Sequence, residues 1–252
     1  MAEPQTSAPQ PGSSAKTKRF MLVVDSNPRD ANFVSMLLQN FGYNSTVVKS
    51  CEEALEMMSI AVPAVIVTEL ILPGANGFDF YDKIRKDPEL AQTPVIIQTR
   101  FPDMETEDRC RRIGCAGCLN KPVQSEELYR AIQGVIEPTP RMNIRIPTFL
   151  KASVDGVGSG TEFVTVLSDS GLFVKTLEPR ARGTKHTITF LLDRKIIRVD
   201  AMVLYVYSFG EGPNKEPGMG MKFLNLENKD RDVIQEYIRA HVSPPILPDL
   251  IP

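Results

Sequence analysis

Histidine is almost missing from this chain of 252 residues: only His186 and His241 occur. Cysteine appears four times, at Cys51, Cys110, Cys115 and Cys118, all in the half that lacks histidine. A mixed Cys/His metal cluster therefore has no ligand set within short sequence range. Cys115-Ala-Gly-Cys118 has the spacing of a redox pair or half a metal site, but no second pair accompanies it, so neither is the favoured reading. There is no secretory apolar core and no apolar run near the roughly 18 residues that a spanning helix needs. These absences point to reduced thiols in a cytoplasm and exclude membrane insertion. Charge of one sign is lacking as well. With 29 basic and 31 acidic side chains the formal net charge is -2, too balanced for a nucleic-acid footprint. No nucleophile–base pair beside a glycine-rich turn is visible, which argues for a non-enzyme.

What is present falls into two halves. Hydrophobic residues at 42% and charged residues at 24% describe a globular protein, and the length allows two domains. Residues 1–18 are rich in Pro, Ser, Gln and Ala and are expected to form a disordered tail. Residues 19–137, with net charge -5, read as one domain. Residues 138–242 read as a second, led in by a linker over 138–146 that contains Pro138-Thr139-Pro140. Residues 243–252 are proline-rich and expected to be extended. The basic excess is local: residues 141–198 hold ten basic and five acidic side chains, a field suited to a small anionic ligand.

In the first half, short apolar runs alternate with amphipathic segments. Arg19 to Val24, Asn44 to Val48, Ala64 to Thr68, Pro94 to Thr99 and a stretch around Cys118-Leu119 read as strands. Helices are expected up to about Asn40, from Ser50 to about Met58, from Gly77 to about Lys86, from about Met104 to Ile113, and from about Ser125 to Ile136. The first follows a cap in Asp25-Ser-Asn-Pro28, and Ser50-Cys-Glu-Glu53 is a capping box. Five such alternations predict an α/β doubly wound parallel five-stranded sheet, with the working site beyond the carboxyl ends of the strands. The polar residues there are Asp25, Ser26, Glu69, Thr99 and Lys121.

The motifs Val23-Val24-Asp25, Leu70-Ile-Leu-Pro73 with Gly77, Pro94 to Thr99, and Gly114 to Lys121-Pro122 resemble the receiver domain of two-component response regulators, a flavodoxin-like fold. The resemblance implies that Asp25 is a metal-binding acid, Thr99 the switch hydroxyl and Lys121 the signalling lysine. It also exposes two departures. Ser26 stands where the family has a second acid, and Glu69 stands at the phosphate-accepting aspartate. One extra methylene misplaces the acceptor oxygen, and one fewer carboxylate weakens a magnesium site, for which Asp25 and Glu69 are the weak candidates. Phosphorylation is not expected. Glu69 either mimics a phosphorylated aspartate by reaching Lys121 and Thr99 or is inert.

The second half changes period. Thr148 to Val154, Phe163 to Val174 with a break at Ser168-Asp-Ser-Gly171, Thr187 to Leu192, Lys195 to Tyr207 and Met219 to Leu224 are strand-like. Asp230 to His241 carries Val233, Ile234, Tyr237 and Ile238 on one helical face. A small antiparallel barrel with a C-terminal helix is the expected architecture. Arg141 and Arg145, Gly171-Leu-Phe-Val and Gly218-Met-Gly-Met-Lys-Phe223 resemble the PilZ family. The family implies cyclic di-GMP as a ligand, held by Arg141, Arg145, Ser168 and Gly171. The departure here is Val166, apolar where the second motif carries Asp or Asn. Loss of one acceptor costs about 1–3 kcal/mol if its partner stays unpaired.

Two readings follow. One is a signalling effector that pairs a non-phosphorylatable receiver with a cyclic di-GMP module and needs no cofactor. The other is a protein-interaction adaptor that has lost both ligand chemistries. The family context implies protein partners in signalling, motility or polarity.

Overall fold

The computed structural model describes residues 20–101, 103–137, 143–156, 161–211 and 215–242. The expected tails, the linker prolines and Arg141 lie outside them.

The first half alternates β1 (Phe20–Val24), α1 (Pro28–Asn40), β2 (Asn44–Val48), α2 (Cys51–Ile60), β3 (Val65–Glu69), β4 (Ile71–Leu72), β5 (Ala75–Asn76), α3 (Gly77–Lys86), β6 (Val95–Thr99), α4 (Met104–Ile113), β7 (Gly117–Asn120) and α5 (Ser125–Ile136). The sheet order is β2-β1-β3-β6-β7, all parallel. Period-2 alternation distributes the strand side chains between two layers. Met21, Val23, Val65, Val67 and Ile96 join the cluster under α1 and α5. Leu22, Val24, Ile66, Val95 and Ile97 join the cluster under α2, α3 and α4. The caps are local and strong. The Asn27 side chain accepts from Arg29 N and Asp30 N. Ser50 Oγ accepts from Glu53 N, while Glu53 Oε2 accepts from Lys49 N, one residue before the cap.

Two expectations are corrected. The third strand runs Val65–Glu69 rather than Ala64 to Thr68, so Glu69 is its last paired residue, opposite Gln98. The segment after it, to which the sequence assigned no strand, carries two: β4 and β5 pair antiparallel, Ile71 with Asn76 and Leu72 with Ala75.

The second half contains β8 (Ile146–Val154), β9 (Phe163–Ser168), β10 (Gly171–Lys175), β11 (Lys185–Leu192), β12 (Lys195–Tyr207), β13 (Gly218–Asn225) and α6 (Asn228–Val242). The strands close into an antiparallel barrel ordered β10-β13-β12-β11-β8-β9. Along β12, buried Ile197, Val199, Ala201 and Val203 alternate with Arg198, Asp200 and Leu204. Helix α6 turns Ile234, Ile238 and Val242 onto the barrel interior and begins two residues earlier than its apolar pattern predicts.

The core beneath α1 and α5 does not stop at the junction of the halves. The same buried cluster runs from Met21 and Phe41 through Ile146 to Val242. No helix among the described residues is long and apolar enough to cross a membrane.

Candidate functional site

The carboxyl ends of β1 and β3 and the first turn of α1 converge on one ammonium group. Lys121 Nζ lies 2.5 Å from Asp25 Oδ2 and 3.2 Å from Asp30 Oδ2, and it pairs with Glu69 Oε2. Only 3% of the Lys121 side chain is exposed. Burial alone would lower its pKa, but hydrogen bonds to Asp25 and Glu69 outweigh that and hold it above the ordinary 10.5.

Each carboxylate is occupied on both oxygens or on both sides. Asp25 Oδ1 accepts from Asn27 N at 2.9 Å, and its Oδ2 also accepts from Gln98 Nε2 at 3.0 Å. Glu69 Oε1 accepts from Leu70 N at 2.7 Å and Ile71 N at 3.2 Å. Asp30 Oδ2 pairs with Arg100 at 2.6 Å. Gly77 makes the close approach over the end of β3 possible: a Cβ there would stand 2.8 Å from the Glu69 carbonyl oxygen.

Thr99 is fully buried and its Oγ1 accepts from Phe101 N at 3.2 Å. Ser26 is exposed beside the cluster. Asp30 was not singled out by the sequence. Its signal was its place in the first turn of α1, where a side chain can lean back over the strand ends. These groups do not fit a magnesium ion. The three carboxylates already converge on Lys121, Ser26 adds only a neutral hydroxyl, and the described residues include no group of three or more His, Cys, Asp or Glu arranged as metal ligands.

Of the four cysteines, Cys51 and Cys110 are buried and Cys115 and Cys118 half-buried, all as free thiols. Hydrogen bonding to Cys115, offset in part by Cys118, pushes the Cys110 thiol up to about 12. A thiol so far from ionised is a weak nucleophile and fits the structural reading.

The second site is built on the β9–β10 turn. Ser168 is buried and its hydroxyl donates to the Gly171 carbonyl at 2.9 Å, closing the turn. Gly171 is required by packing, since a Cβ would lie 2.2 Å from the Met221 carbonyl oxygen. Arg145 is half-buried, one residue before β8. Val166 has a definite setting. Strand register aligns Pro147, Val166, Phe173, Gly220 and Tyr205 across the sheet. Phe173 packs against Tyr205 and Tyr207, with centroids 6.3 and 6.1 Å apart. Val166 therefore belongs to an apolar and aromatic row on the outer barrel wall, in which its own side chain supplies no acceptor.

A cavity of about 230 Å³ opens at the junction of the halves. Asn143 and Ile144, from the stretch between the two motif arginines, line it together with Asp169 and Arg239. Asp169 sits in the turn after β9 and not on a strand face, and its Oδ1 is shut off from solvent with no hydrogen-bond partner.

A family model for the response regulator receiver domain matches residues 21–133, and one for the PilZ domain matches residues 139–240. The two-component response regulator ORR3 of Oryza sativa subsp. indica is 30% identical over 117 residues, covering 46% of this chain and 89% of the relative. The chain belongs to the response-regulator receiver family. Its receiver domain is followed by a PilZ domain. Protein PilH of Pseudomonas aeruginosa is 29% identical, covering 46% of this chain and 96% of its own length. The solved chemotaxis response regulator CheY4 of Vibrio cholerae is 28% identical, covers 47% of this chain and 98% of its own, and gives a TM-score of 0.44. A receiver followed by a PilZ domain makes this a signalling protein that carries a module of the cyclic di-GMP-binding type, and neither family is enzymatic.

Proposed function

We propose that the protein is a cytoplasmic, non-enzymatic effector in which the PilZ domain binds cyclic di-GMP and the receiver domain is not switched by phosphorylation. The observation that carries this reading is the Lys121–Glu69 ion pair. Glu69 stands at the family's acceptor position, and its two oxygens already hold Lys121 and two backbone N–H groups. An incoming phosphoryl group would have to break a buried ion pair to reach a carboxylate that is one methylene too long, without the metal that neutralises its charge.

Arg145 supplies phosphate-seeking charge beside the turn held by Ser168 and Gly171, and Arg141 stands four residues earlier in sequence. The stretch between these arginines lines the junction with the receiver, so ligand binding there would move one half against the other. The receiver then acts as a docking body for signalling proteins, with motility or polarity the implied setting.

Calorimetry with cyclic di-GMP tests the first part. Binding abolished in Arg141→Ala plus Arg145→Ala supports it, and no heat from the full chain at high protein concentration removes it. Incubation with acetyl phosphate and magnesium tests the second part by intact mass: no gain is expected, and a stoichiometric gain would refute it.

The adaptor reading, with no cyclic di-GMP binding, is favoured by the Val166 row. Capture of the same protein partners with and without added cyclic di-GMP would support it.

A further inference from the structure

Helix α4 ends in a group of three thiols. Its last turn closes as a Schellman motif. Gly114 takes the left-handed backbone at φ +80°, its N–H donates to the Arg111 carbonyl at 3.4 Å, and Cys115 N donates to the Cys110 carbonyl at 2.9 Å. This motif brings the side chains at its two ends into contact, and the pair is ordinarily apolar. Here both are thiols. Cys118, the second residue of β7, packs against the same cluster. Hydrogen bonding sets an order among the three sulfurs. A thiol whose pKa is raised by a hydrogen bond is the donor of that bond. Cys118 is pushed up chiefly by its bond to Cys110, and Cys110 chiefly by its bond to Cys115. Cys118 therefore donates to Cys110, Cys110 donates to Cys115, and Cys115 ends the chain as acceptor.

This order divides the roles in a two-cysteine oxidation. Cys110 is buried and Cys115 half-buried, so a small oxidant meets Cys115 first. Cys118 is half-buried too, but its proton is held by the bond to Cys110. Arg111 and Arg112 place two guanidinium groups in the last turn of the same helix, and cationic neighbours favour an attacking thiolate. We infer that Cys115 is a site of reversible oxidation by hydroperoxides and that Cys110 resolves it to an intramolecular disulfide across the end of α4. In the first step the Cys115 thiolate attacks one peroxide oxygen. An S–O bond forms, the O–O bond breaks, and the departing oxygen takes up the proton that Cys115 released, which leaves a sulfenic acid. In the second step the Cys110 sulfur attacks the sulfenic sulfur. The S–S bond forms, the S–O bond breaks, and the leaving hydroxide takes the Cys110 proton to become water. Two thiols are oxidised and one peroxide is reduced. The held proton makes Cys110 a poor first attacker, but matters less for the second step, in which the target is already in contact. Sequence spacing pairs Cys115 with Cys118; the closed helix end pairs it with Cys110. The bond would tie the last turn of α4 to the chain entering β7, a covalent input to the receiver that does not pass through Glu69. It is independent of the cyclic di-GMP reading.

The test is exposure of the reduced full chain to hydrogen peroxide, followed by alkylation under denaturing conditions and tryptic mapping without reductant. Two of the four thiols should be lost to alkylation, and a thiol reductant should restore them. Trypsin cuts after Arg111 and Arg112, so a bond between Cys110 and Cys115 yields two peptides held together, whereas a bond between Cys115 and Cys118 would loop a single peptide. Cys115→Ser should abolish the linked species. Cys110→Ser should stop at a sulfenic acid on Cys115 that dimedone traps, and Cys118→Ser should still form the bond. If Cys115→Ser does not fold, the map of the unaltered chain and the dimedone adduct of Cys110→Ser decide. The assignment is overturned if all four thiols stay open to alkylation in excess peroxide, if the looped peptide or a covalent dimer forms in place of the linked pair, or if Cys110→Ser gives no dimedone adduct at Cys115.

Discussion

Lys121 and Glu69 form an ion pair that is nearly closed to water: 3% of one side chain and 10% of the other are exposed. Such a pair is worth little as a net gain over apolar packing, yet breaking it from one side strands a charge. The geometry thus makes the receiver domain sensitive to the loss of either partner, and removing both still leaves Asp25 and Asp30 without their shared lysine.

Lys121→Met should destabilise the receiver domain by about 3–5 kcal/mol, because Asp25, Asp30 and Glu69 would face one another without a counter-charge. Adding Glu69→Gln should recover part of the loss. Urea unfolding of the two single variants and the double variant gives the coupling directly, and additive effects would show that the pair is not energetically linked.

The same lysine fixes an alkaline limit. Its folded pKa is raised, so its contribution is fully present below the unfolded value near 10.5 and is lost as pH rises through the higher folded value. Stability measured from pH 9 upward should fall above about 10.5, and the slope should flatten in the Lys121→Met variant.

Asp155 sets an acid limit in the barrel. Its Oδ2 lies 2.7 Å from His186 Nδ1, and its Oδ1 accepts from Thr187 N at 3.0 Å. The His186 hydrogen bond chiefly holds the carboxyl below its ordinary 3.8, against a smaller opposing effect of burial. The stabilisation is present above the unfolded value and disappears as pH falls through the lower folded one. Asp155→Asn should reduce the acid dependence of barrel unfolding below about pH 4. Asparagine also accepts the left-handed backbone at this position, where φ is +56°, so charge is tested apart from strain.

Gly220→Ala should cost about 1–3 kcal/mol, because a Cβ would lie 2.1 Å from the Tyr205 ring. Tyr205→Ser in the same chain should restore much of it. Thermal melts of the pair would contradict the packing account if the second change gave no recovery.

The order of elements was readable because its signals are local. Apolar runs marked the strands of the sheet, and Asn27, Ser50 and the glycine after α1 marked helix ends. The ion-pair cluster was partly readable, since Asp25, Glu69 and Lys121 each end a strand. Asp30 was missed because its role depends on how α1 leans over the sheet. The two-residue pairing of β4 with β5 is too short for any period to register. The site around Asp169 was the least legible. Asp169 lies in a turn, and a turn residue obeys no alternation rule from which its direction could be read. The row through Val166 exists only through barrel register, including the shifts between Phe173 and Val174 and between Val203 and Tyr205.

The buried cluster that runs unbroken from Met21 to Val242 means that neither module owns a complete boundary. Cleaving the chain between them would leave each fragment with an oily scar, and oily scars drive self-association. Separately expressed halves would then be limited by solubility before any question of folding arose.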